Sequence, residues 1–189
     1  TIRNTYAQEG NFLVVASAGG GKHSYPFFQA VVQACQAHQK INGRPVHLHL
    51  ITGPYFSNED QQALEELTSE REWVSSVKFV PNIVDYIGAA DLFIGTGGYN
   101  TMTEIMVAQK PSIIVTRMQI DSIEQSLRTK LFETLGICDS VTWDENLAAH
   151  LEDRIVAITS RHLHLESLRP LDMNGKKRTA EMILNGIEG

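Results

Sequence analysis

A glycine-rich stretch near the middle of the chain carries residue types that suit the binding of a phosphate group and of sugar hydroxyls. Gly95, Gly97 and Gly98 follow the short apolar run Leu92–Ile94, which has the length of a buried strand. Glycine has no side chain, so the backbone there can approach a ligand closely. Apolar residues then recur with helical spacing up to Pro111, and a second apolar run follows. The pattern predicts a strand, a glycine turn, a helix and a second strand.

The start of the predicted helix would form an anion site. The first N–H groups of a helix have no partner within it, and the helix dipole adds partial positive charge there. Thr96, Asn100 and Thr101 offer further donors. Glu104 follows about one helical turn on, roughly 5.4 Å along the axis, where a carboxylate is badly placed for phosphate but can accept two ribose hydroxyls. The alternative is an ordinary strand–helix connection in which Glu104 is a solvated charge.

A second glycine turn follows the apolar run Phe12–Ala16. It contains Gly19–Gly21 and leads into another helical pattern. Two common phosphate-binding fingerprints are excluded, because His23 follows Lys22 where Gly-x-x-x-x-Gly-Lys-Ser/Thr needs a hydroxyl, and the last glycine of Gly-x-Gly-x-x-Gly is absent. The turn is therefore predicted to present bare backbone amides. Lys22 and His23 either neutralise a phosphate or face solvent.

These residues resemble the donor-binding half of the GT-B glycosyltransferases. The likeness is to the family 28 type, which contains the transferase that adds GlcNAc to lipid-linked peptidoglycan precursors. It extends from Phe12 to Ile187 and is densest between Phe79 and Gly136. Its motif comprises a strand, a glycine turn, a helix start and a Lys-Pro stop: Asp91-Leu92, Gly97–Thr101, Thr103–Ile105 and Lys110-Pro111.

The resemblance implies roles for particular residues. In that family glycine turns hold the donor diphosphate, a glutamate holds the ribose, main-chain groups read the uracil edge, and a helix start holds the sugar hydroxyls. The matching positions are Gly19, Gly20, Gly21, Gly97, Gly98, Tyr99, Asn100 and Thr101 for the diphosphate, Glu104 for the ribose, Phe79 and Val80 for the base, and Asp121, Glu124 and Gln125 for the sugar. Gly21 departs from the pattern, since the family more often has a small polar residue there. The alternative for Asp121 and Glu124 is an acid favoured by the helix dipole.

The composition is that of a globular protein. Of 189 residues, 42% are hydrophobic and 20% charged, which is enough for one domain with a core of its own. The net charge of −6 argues against a general nucleic-acid binder. No apolar stretch reaches the length of about 18 residues expected of a membrane helix, and no cleavable signal pattern is visible. We therefore predict a cytoplasmic protein, in which Cys35 and Cys138 are buried thiols.

Apolar runs and helical patterns alternate along the chain, which predicts an α/β, doubly wound (Rossmann-like) parallel sheet of about six strands. The resemblance implies one half of a GT-B fold. Residues 1–10 are predicted to be a linker or domain edge, and residues 11–189 the nucleotide-sugar-binding domain with a C-terminal helix. Arg3 is expected to be a solvated charge, with a tether residue as the alternative. A strand is expected over Val77–Val80. A helix is expected over Asp121–Leu135, with an inward face made of Ile123, Leu127, Leu131 and Leu135.

The leading hypothesis is a donor-binding domain for a nucleotide-diphosphate sugar, a UDP-sugar, in an enzyme that transfers a hexosyl group to an acceptor. No cofactor is expected besides this donor substrate. No metal site is expected either, since His47 and His49 lack a third ligand nearby. A nucleotide-sugar epimerase half and a non-catalytic nucleotide-binding module remain as alternatives.

The acceptor-binding half is missing from this sequence. In the family it lies N-terminal and usually supplies the general base, so no catalytic base is assigned here. Because the sequence starts at Thr1, we expect either an excised C-terminal domain or one chain of a split enzyme whose partner carries the acceptor site. Alone, the chain is expected to bind the donor with little or no transfer. Any membrane contact is expected from the missing half.

Overall fold

A computed structural model describes residues 2–6, 9–117, 123–160 and 174–187. Strands and helices alternate through these ranges. The strands are β1 (Phe12–Ser17), β2 (Lys40–Ile41), β3 (Arg44–Ile51), β4 (Val74–Val77), β5 (Leu92–Thr96), β6 (Ser112–Arg117) and β7 (Asp139–Trp143). The helices are α1 (Ile2–Tyr6), α2 (Tyr25–Ala37), α3 (Asn58–Thr68), α4 (Ile83–Ala89), α5 (Tyr99–Ala108), α6 (Ile123–Thr134), α7 (Leu147–Ser160) and α8 (Gly175–Ile187).

Six of the described strands run parallel, in the order β4-β3-β1-β5-β6-β7. Counted along the chain without β2, this is 3-2-1-4-5-6, the order of doubly wound nucleotide-binding sheets. The order reverses between β1 and β5, which pair directly through Val15 and Phe93. The predicted α/β fold is therefore confirmed. In such sheets a crevice opens at the carboxyl ends of the strands where the order reverses.

The short strand β2 was missed by sequence reasoning. It pairs antiparallel with the start of β3, Ile41 opposite Arg44. Asn42 and Gly43 form the turn, with φ angles of 52° and 74°. A two-residue hairpin turn of this kind needs positive φ at both positions and favours Asn-Gly. The Asn-Gly dipeptide was therefore the signal in the sequence that could have predicted this hairpin.

The central strand β1 shows how the core is divided. Phe12, Val14 and Ala16 belong to a cluster that includes residues of α2 and α7. Leu13 and Val15 belong to a second cluster with residues of α4 and α5. Alternate residues of a strand point to opposite faces, so a strand covered by helices on both sides has an uninterrupted apolar run.

Helix α6 differs from its prediction. Leu127, Leu131 and Leu135 are 67%, 55% and 50% exposed, respectively. Phe132 packs against the core instead. The predicted inward face is therefore wrong for the three leucines, and the side chain of Ile123 lies outside the described part. Leucines four residues apart do share one helix face, but their spacing does not show whether the sheet covers that face.

The first residues contain α1, and Arg3 is not a solvated charge. Its guanidinium donates hydrogen bonds to the Asp91 carboxylate at 2.8 Å, to the Asn11 carbonyl at 2.7 Å and to the Ala89 carbonyl at 3.0 Å. Arg44 donates to the same carboxylate oxygen at 2.8 Å. The prediction for Arg3 was wrong because its partners lie far along the chain.

Asp91 is the centre of what we call the amino-edge cluster, made of Arg3, Arg44 and Asp91. Its carboxylate also accepts the N–H of Leu13 at 2.8 Å. Burial alone would raise the pKa of Asp91, but the hydrogen bonds from Arg44, Arg3 and Leu13 outweigh it and hold that pKa below its ordinary value. An ionised carboxylate therefore joins α1 to the amino ends of β1, β3 and β5.

Candidate functional site

Both glycine turns leave the sheet at its carboxyl edge, side by side. β1 and β5 are paired neighbours, with Ser17 opposite Gly95 where the two strands end. The first turn follows Ser17 and the second follows Thr96. Two turns that lie far apart in the sequence thus meet at the reversal point, where doubly wound sheets bind their ligands.

The first turn is held by close backbone packing against the end of β3. Gly21 has a φ of +86°, and a Cβ there would lie 2.1 Å from the carbonyl oxygen of Thr52. Gly53 has a φ of +95°, and its Cβ would lie 2.3 Å from the carbonyl oxygen of Gly19. Both positions therefore need glycine, for conformation and for space. Gly21 thus contacts the backbone at the end of β3 and shapes the turn from that side.

The second turn leaves the start of α5 open. The N-cap residue of α5 is Gly98, which has no side chain to cap the first amides of the helix. A Cβ on Gly98 would meet only the hydroxyl of Thr101, at 3.9 Å. Gly97 is held more tightly, because its N–H donates to the Val115 carbonyl at 3.2 Å. The first amides of α5 thus have space for an anion above them.

A cleft of about 390 Å³ extends from the first turn and the start of α5 to the segment after β4. It brings together predicted residues for three parts of a nucleotide: Gly19, Gly20, Phe79, Val80, Asn100, Thr101 and Glu104. Residues that were not assigned to the site also line it, among them Lys78 and Asn82. Among the described residues that line this cleft, Lys78 is the single cation and Glu104 the single anion.

Glu104 is half-buried on the cleft side of α5. Burial raises the pKa of Glu104 above its ordinary value. This is the reverse of Asp91, whose arginine partners outweigh the effect of burial on its pKa. A carboxylate that has lost water without gaining a cation is well suited to accept hydrogen bonds from a ligand's hydroxyls.

The segment predicted to bind the base is not a strand. β4 ends at Val77, so the expected strand over Val77–Val80 was placed too far along the chain. Phe79 is 63% exposed and Val80 is 6% exposed. The N–H of Gly53 donates to the Lys78 carbonyl at 2.9 Å and holds this segment beside β3. Because Phe79 and Val80 lie beyond the strand, their peptide groups are not used by the sheet.

A second cavity, of about 190 Å³, lies beside the same two turns, toward β6 and β7. Of the predicted sugar residues, Gln125 lines it. Glu124 does not, since its side chain is 85% exposed on α6 and paired with Arg128. Asp121 lies outside the described residues. The described residues that line it are Ala18, Lys22, Ser24, Thr96, Val115, Gln125 and Trp143.

Tyr99, which was predicted to lie at the diphosphate, is 70% exposed. The Arg128 guanidinium sits over its ring, 5.2 Å from the centroid. Tyr99 lines neither cavity. The structure therefore brings part of the predicted nucleotide residues together in the larger cleft, puts Gln125 in the smaller cavity, and leaves Tyr99 and Glu124 on the surface of α5 and α6. Three glycines predicted for the diphosphate line neither cavity: Gly21, Gly97 and Gly98.

Comparison with known proteins places the chain in a family. Residues 14–182 match the model of the glycosyltransferase family 28 C-terminal domain. The chain belongs to this family. It is 27% identical over 131 residues to the UDP-N-acetylglucosamine--N-acetylmuramyl-(pentapeptide) pyrophosphoryl-undecaprenol N-acetylglucosamine transferase of Caldicellulosiruptor saccharolyticus. That match covers 67% of this chain and 33% of the relative.

Two solved structures share the fold of this family 28 domain. Acinetobacter baumannii MurG has a TM-score of 0.72 at 17% identity, over 97% of this chain and 52% of that one. The glycotransferase of kitacinnamycin has a TM-score of 0.72 at 20% identity, over 94% of this chain and 43% of that one. The chain thus spans a third of the curated relative and about half of each structure, and the predicted GT-B C-terminal domain is confirmed.

Two cleft residues of this family 28 domain escaped sequence reasoning for different reasons. Lys78 follows β4 directly, but the misplaced strand put it inside the sheet. Asn82 occupies the N-cap position before α4, yet its side chain makes no capping hydrogen bond. A polar residue at a helix start next to a predicted base site was a usable signal for the second residue.

The histidine pair on β3 has a structural explanation. His47 and His49 both contact the Ser75 hydroxyl, at 3.0 Å and 2.9 Å. Burial, and then the neighbouring His47, lower the pKa of His49 to about 4, so it is neutral near pH 7. Across the ranges that the structure describes, no group of three or more His, Cys, Asp or Glu side chains could hold a metal ion.

The described helices include none that is both long and apolar enough to cross a bilayer. Cys35 and Cys138 are free and buried, as predicted, and burial raises the pKa of each thiol to about 12. These thiols are therefore protonated near neutral pH and have little nucleophilic character.

Proposed function

We propose that the larger cleft binds the nucleoside diphosphate of a UDP-sugar and that the chain is the donor-binding half of a glycosyltransferase. The observation that carries this proposal is the position of Glu104. It shares one cleft with the first glycine turn, with the start of α5 and with the Phe79–Val80 segment. The cleft therefore combines an anion site, an acceptor for hydroxyls and an apolar wall, which are the partners that the three parts of a nucleotide need.

Each part of the nucleotide has a stated partner in this arrangement. The peptide groups of Phe79 and Val80 pair with the uracil edge, and the Phe79 ring covers the base. Glu104 accepts the two ribose hydroxyls. Backbone amides of the Gly19–Gly20 turn and of the α5 start, with the hydroxyl of Thr101, bind the diphosphate.

The chemical role of this half is to stabilise the leaving group. Negative charge develops on the diphosphate as the glycosidic bond breaks, and fixed N–H groups aimed at it lower the energy of the transition state. The proposal assigns no metal to the site. It places the acceptor and the general base on an N-terminal half or a partner chain, outside this domain. The named donor of the Caldicellulosiruptor relative supports a UDP-sugar.

Calorimetric titration of the 189-residue chain tests the proposal. UDP is expected to bind more tightly than NAD, because the cleft has one anion site and one base wall. The variant Glu104→Gln should weaken UDP and UMP alike by about tenfold, since one hydrogen bond to a charged group is worth roughly 1.5 kcal/mol. Both ligands carry the ribose, so both must respond.

Glu59→Gln is the matched control, because Glu59 is an exposed carboxylate at the start of another helix, α3. It should leave UDP binding unchanged. Tighter binding of NAD than of UDP, or equal UDP affinity in Glu104→Gln and the unmodified chain, would contradict the proposal.

A further inference from the structure

The smaller cavity continues the proposed nucleotide site on the other side of the two turns. Ala18 and Thr96 line it, and they immediately precede the first and second glycine turns. The larger cleft instead involves the ends of β3 and β4, through Ile51 and Val80. A diphosphate bound across the turns would therefore have its nucleoside in the cleft and its other substituent in the smaller cavity.

The size and lining of the smaller cavity suit one sugar ring. Its volume of about 190 Å³ corresponds to roughly six water molecules at about 30 Å³ each. Ser24, Thr96 and Gln125 supply hydroxyl and amide groups for sugar hydroxyls. Trp143 adds an aromatic surface, which is half-buried and packs against Phe27 with 5.8 Å between ring centroids.

Among the described residues that line this cavity, Lys22 is the single cation and none is a carboxylate. Glu124, which belongs to the same helix as Gln125, is paired with Arg128 on the outer surface. A neutral hexose would be served by the hydroxyl and amide groups alone, whereas an ammonium group gains most from an anionic partner.

The backbone around Lys22 is fixed in place. Gly21 before it has a φ of +86° and His23 after it a φ of 55°. The buried Ser24 hydroxyl donates to the Gly21 carbonyl at 2.7 Å. Because the hydrogen bond within this turn and its packing against β3 hold the backbone, the Cα of Lys22 has a fixed position at the cavity wall.

We propose that the donor is a nucleotide sugar whose hexose carries a carboxylate, and that Lys22 pairs with this carboxylate in the smaller cavity. This inference rests on the proposed function, since the cleft must first hold the nucleoside diphosphate. Gln125 and Thr96 bind the ring hydroxyls, and Lys22 distinguishes an acidic hexose from a neutral one.

Four probes test the inference by calorimetry with the 189-residue chain: UMP, UDP, UDP-glucose and UDP-glucuronate. UDP-glucuronate is expected to bind about five- to tenfold more tightly than UDP-glucose, as for a partly exposed ion pair. Lys22→Gln should abolish this preference by weakening UDP-glucuronate alone, and Lys22→Arg should keep it. Raising the salt concentration to 1 M should reduce the preference, because the pair is open to solvent. Lys40→Gln, at an exposed lysine on β2, is the control and should keep it as well.

The outcomes separate the two proposals. Equal affinities for UDP-glucose and UDP-glucuronate in the unmodified chain would overturn the inference while the proposed function stands on UDP binding. A loss of UDP affinity in Lys22→Gln without a loss of UMP affinity would assign Lys22 to the second phosphate and also overturn the inference. Failure of UDP itself to bind would overturn both.

Discussion

The two edges of the sheet are built in opposite ways. At the carboxyl edge, glycines with positive φ bring backbone segments into contact and leave a cleft above them. At the amino edge, two arginines and an aspartate join the same central strands through side-chain hydrogen bonds. Glu104 has a pKa raised by burial, whereas Asp91 has one lowered by its partners.

The contrast indicates that binding and stability are assigned to different ends of β1, β3 and β5. A site that must receive a ligand keeps polar groups without protein partners, which costs stability. At the amino edge, Arg3, Arg44 and Asp91 satisfy one another's charges. Variants at the carboxyl edge should therefore change UDP affinity, whether or not they also change the free energy of unfolding. Variants at the amino edge should change the free energy of unfolding and leave UDP affinity unchanged.

The largest effect is expected for Gly53→Ala. A Cβ there meets the carbonyl oxygen of Gly19 at 2.3 Å and the carbonyl carbon of Gly20 at 2.6 Å. We expect a loss of about 3 kcal/mol in unfolding free energy, from strain and displaced backbone, and at least tenfold weaker UDP binding. Urea unfolding and calorimetry measure the two quantities.

Gly10→Ala is the control for Gly53→Ala, because Gly10 has a similar φ of +89° with nothing within 4 Å of a Cβ. It should cost about 1 kcal/mol, the strain of the left-handed conformation alone, and leave UDP binding unchanged. If both alanine variants behave alike, the packing of β3 against the first turn is not what shapes the carboxyl edge.

Asp91→Asn should break the amino edge and spare the site. We expect a loss of about 2 kcal/mol at pH 7, from weakened hydrogen bonds to Arg3 and Arg44, with unchanged UDP affinity of the folded protein. The pKa of Asp91 is lowered on folding, so its stabilisation is present above the ordinary value and is lost as pH falls through the folded value. The difference between the variant and the unmodified chain should therefore shrink below about pH 4.

Asp85→Asn, at an exposed position on α4, serves as the comparison and should change stability by less than about 0.5 kcal/mol. A change in UDP affinity in Asp91→Asn, measured where both proteins are fully folded, would mean that the two edges are coupled after all.

Glu104→Gln should have a small effect on stability. Unlike Gly53→Ala and Asp91→Asn, it should raise the unfolding free energy at pH 7. Because burial raises the pKa of Glu104, the stability linked to its protonation is present below the ordinary value and lost as pH rises through the folded value. Ionised Glu104 thus disfavours the folded state near pH 7, and the glutamine variant should be slightly more stable there. Thermal unfolding at pH 7 and pH 4 checks this, since the gain should vanish at the lower pH. Destabilisation at pH 7 would show that Glu104 is a structural residue.

The smallest effect is expected for a substitution on the exposed face of α6. Leu131→Gln should change the unfolding free energy by less than about 0.5 kcal/mol, because Leu131 is 55% exposed. Phe132→Ala, one residue further and packed against the core, should cost about 3 kcal/mol. Urea unfolding measures both variants. A larger loss of unfolding free energy in Leu131→Gln than in Phe132→Ala would contradict the observed orientation of α6.

Patterns with a local cause were predictable from the sequence. Buried parallel strands have continuous apolar runs, so Phe12–Ala16 and Leu92–Ile94 were placed correctly. The alternation of strands and helices then determined the sheet, and its order brought both glycine turns to one edge. Glu104 followed from its helical distance to the second turn, because helix geometry fixes that spacing.

Features that depend on contacts between distant residues were not predictable. The pairing of Arg3 with Asp91 joins residues 88 apart, and no local pattern indicates it. The leucines of α6 have the spacing of a buried face, yet the sheet covers the opposite face. The apolar pair Phe79 and Val80 suggested a strand. However, β4 ends at Val77, opposite the last residue of β3, and the pair belongs to an irregular segment beyond both strands.

The central position of β1 has a consequence for synthesis on the ribosome. β1 is made first, but one of its two neighbours in the sheet, β5, begins only at Leu92. At roughly 5–20 residues per second, β5 follows β1 by about 4 to 15 s. During that interval the apolar side chains of the future central strand have no partner on one edge, and chaperones that bind extended apolar segments can compete for them.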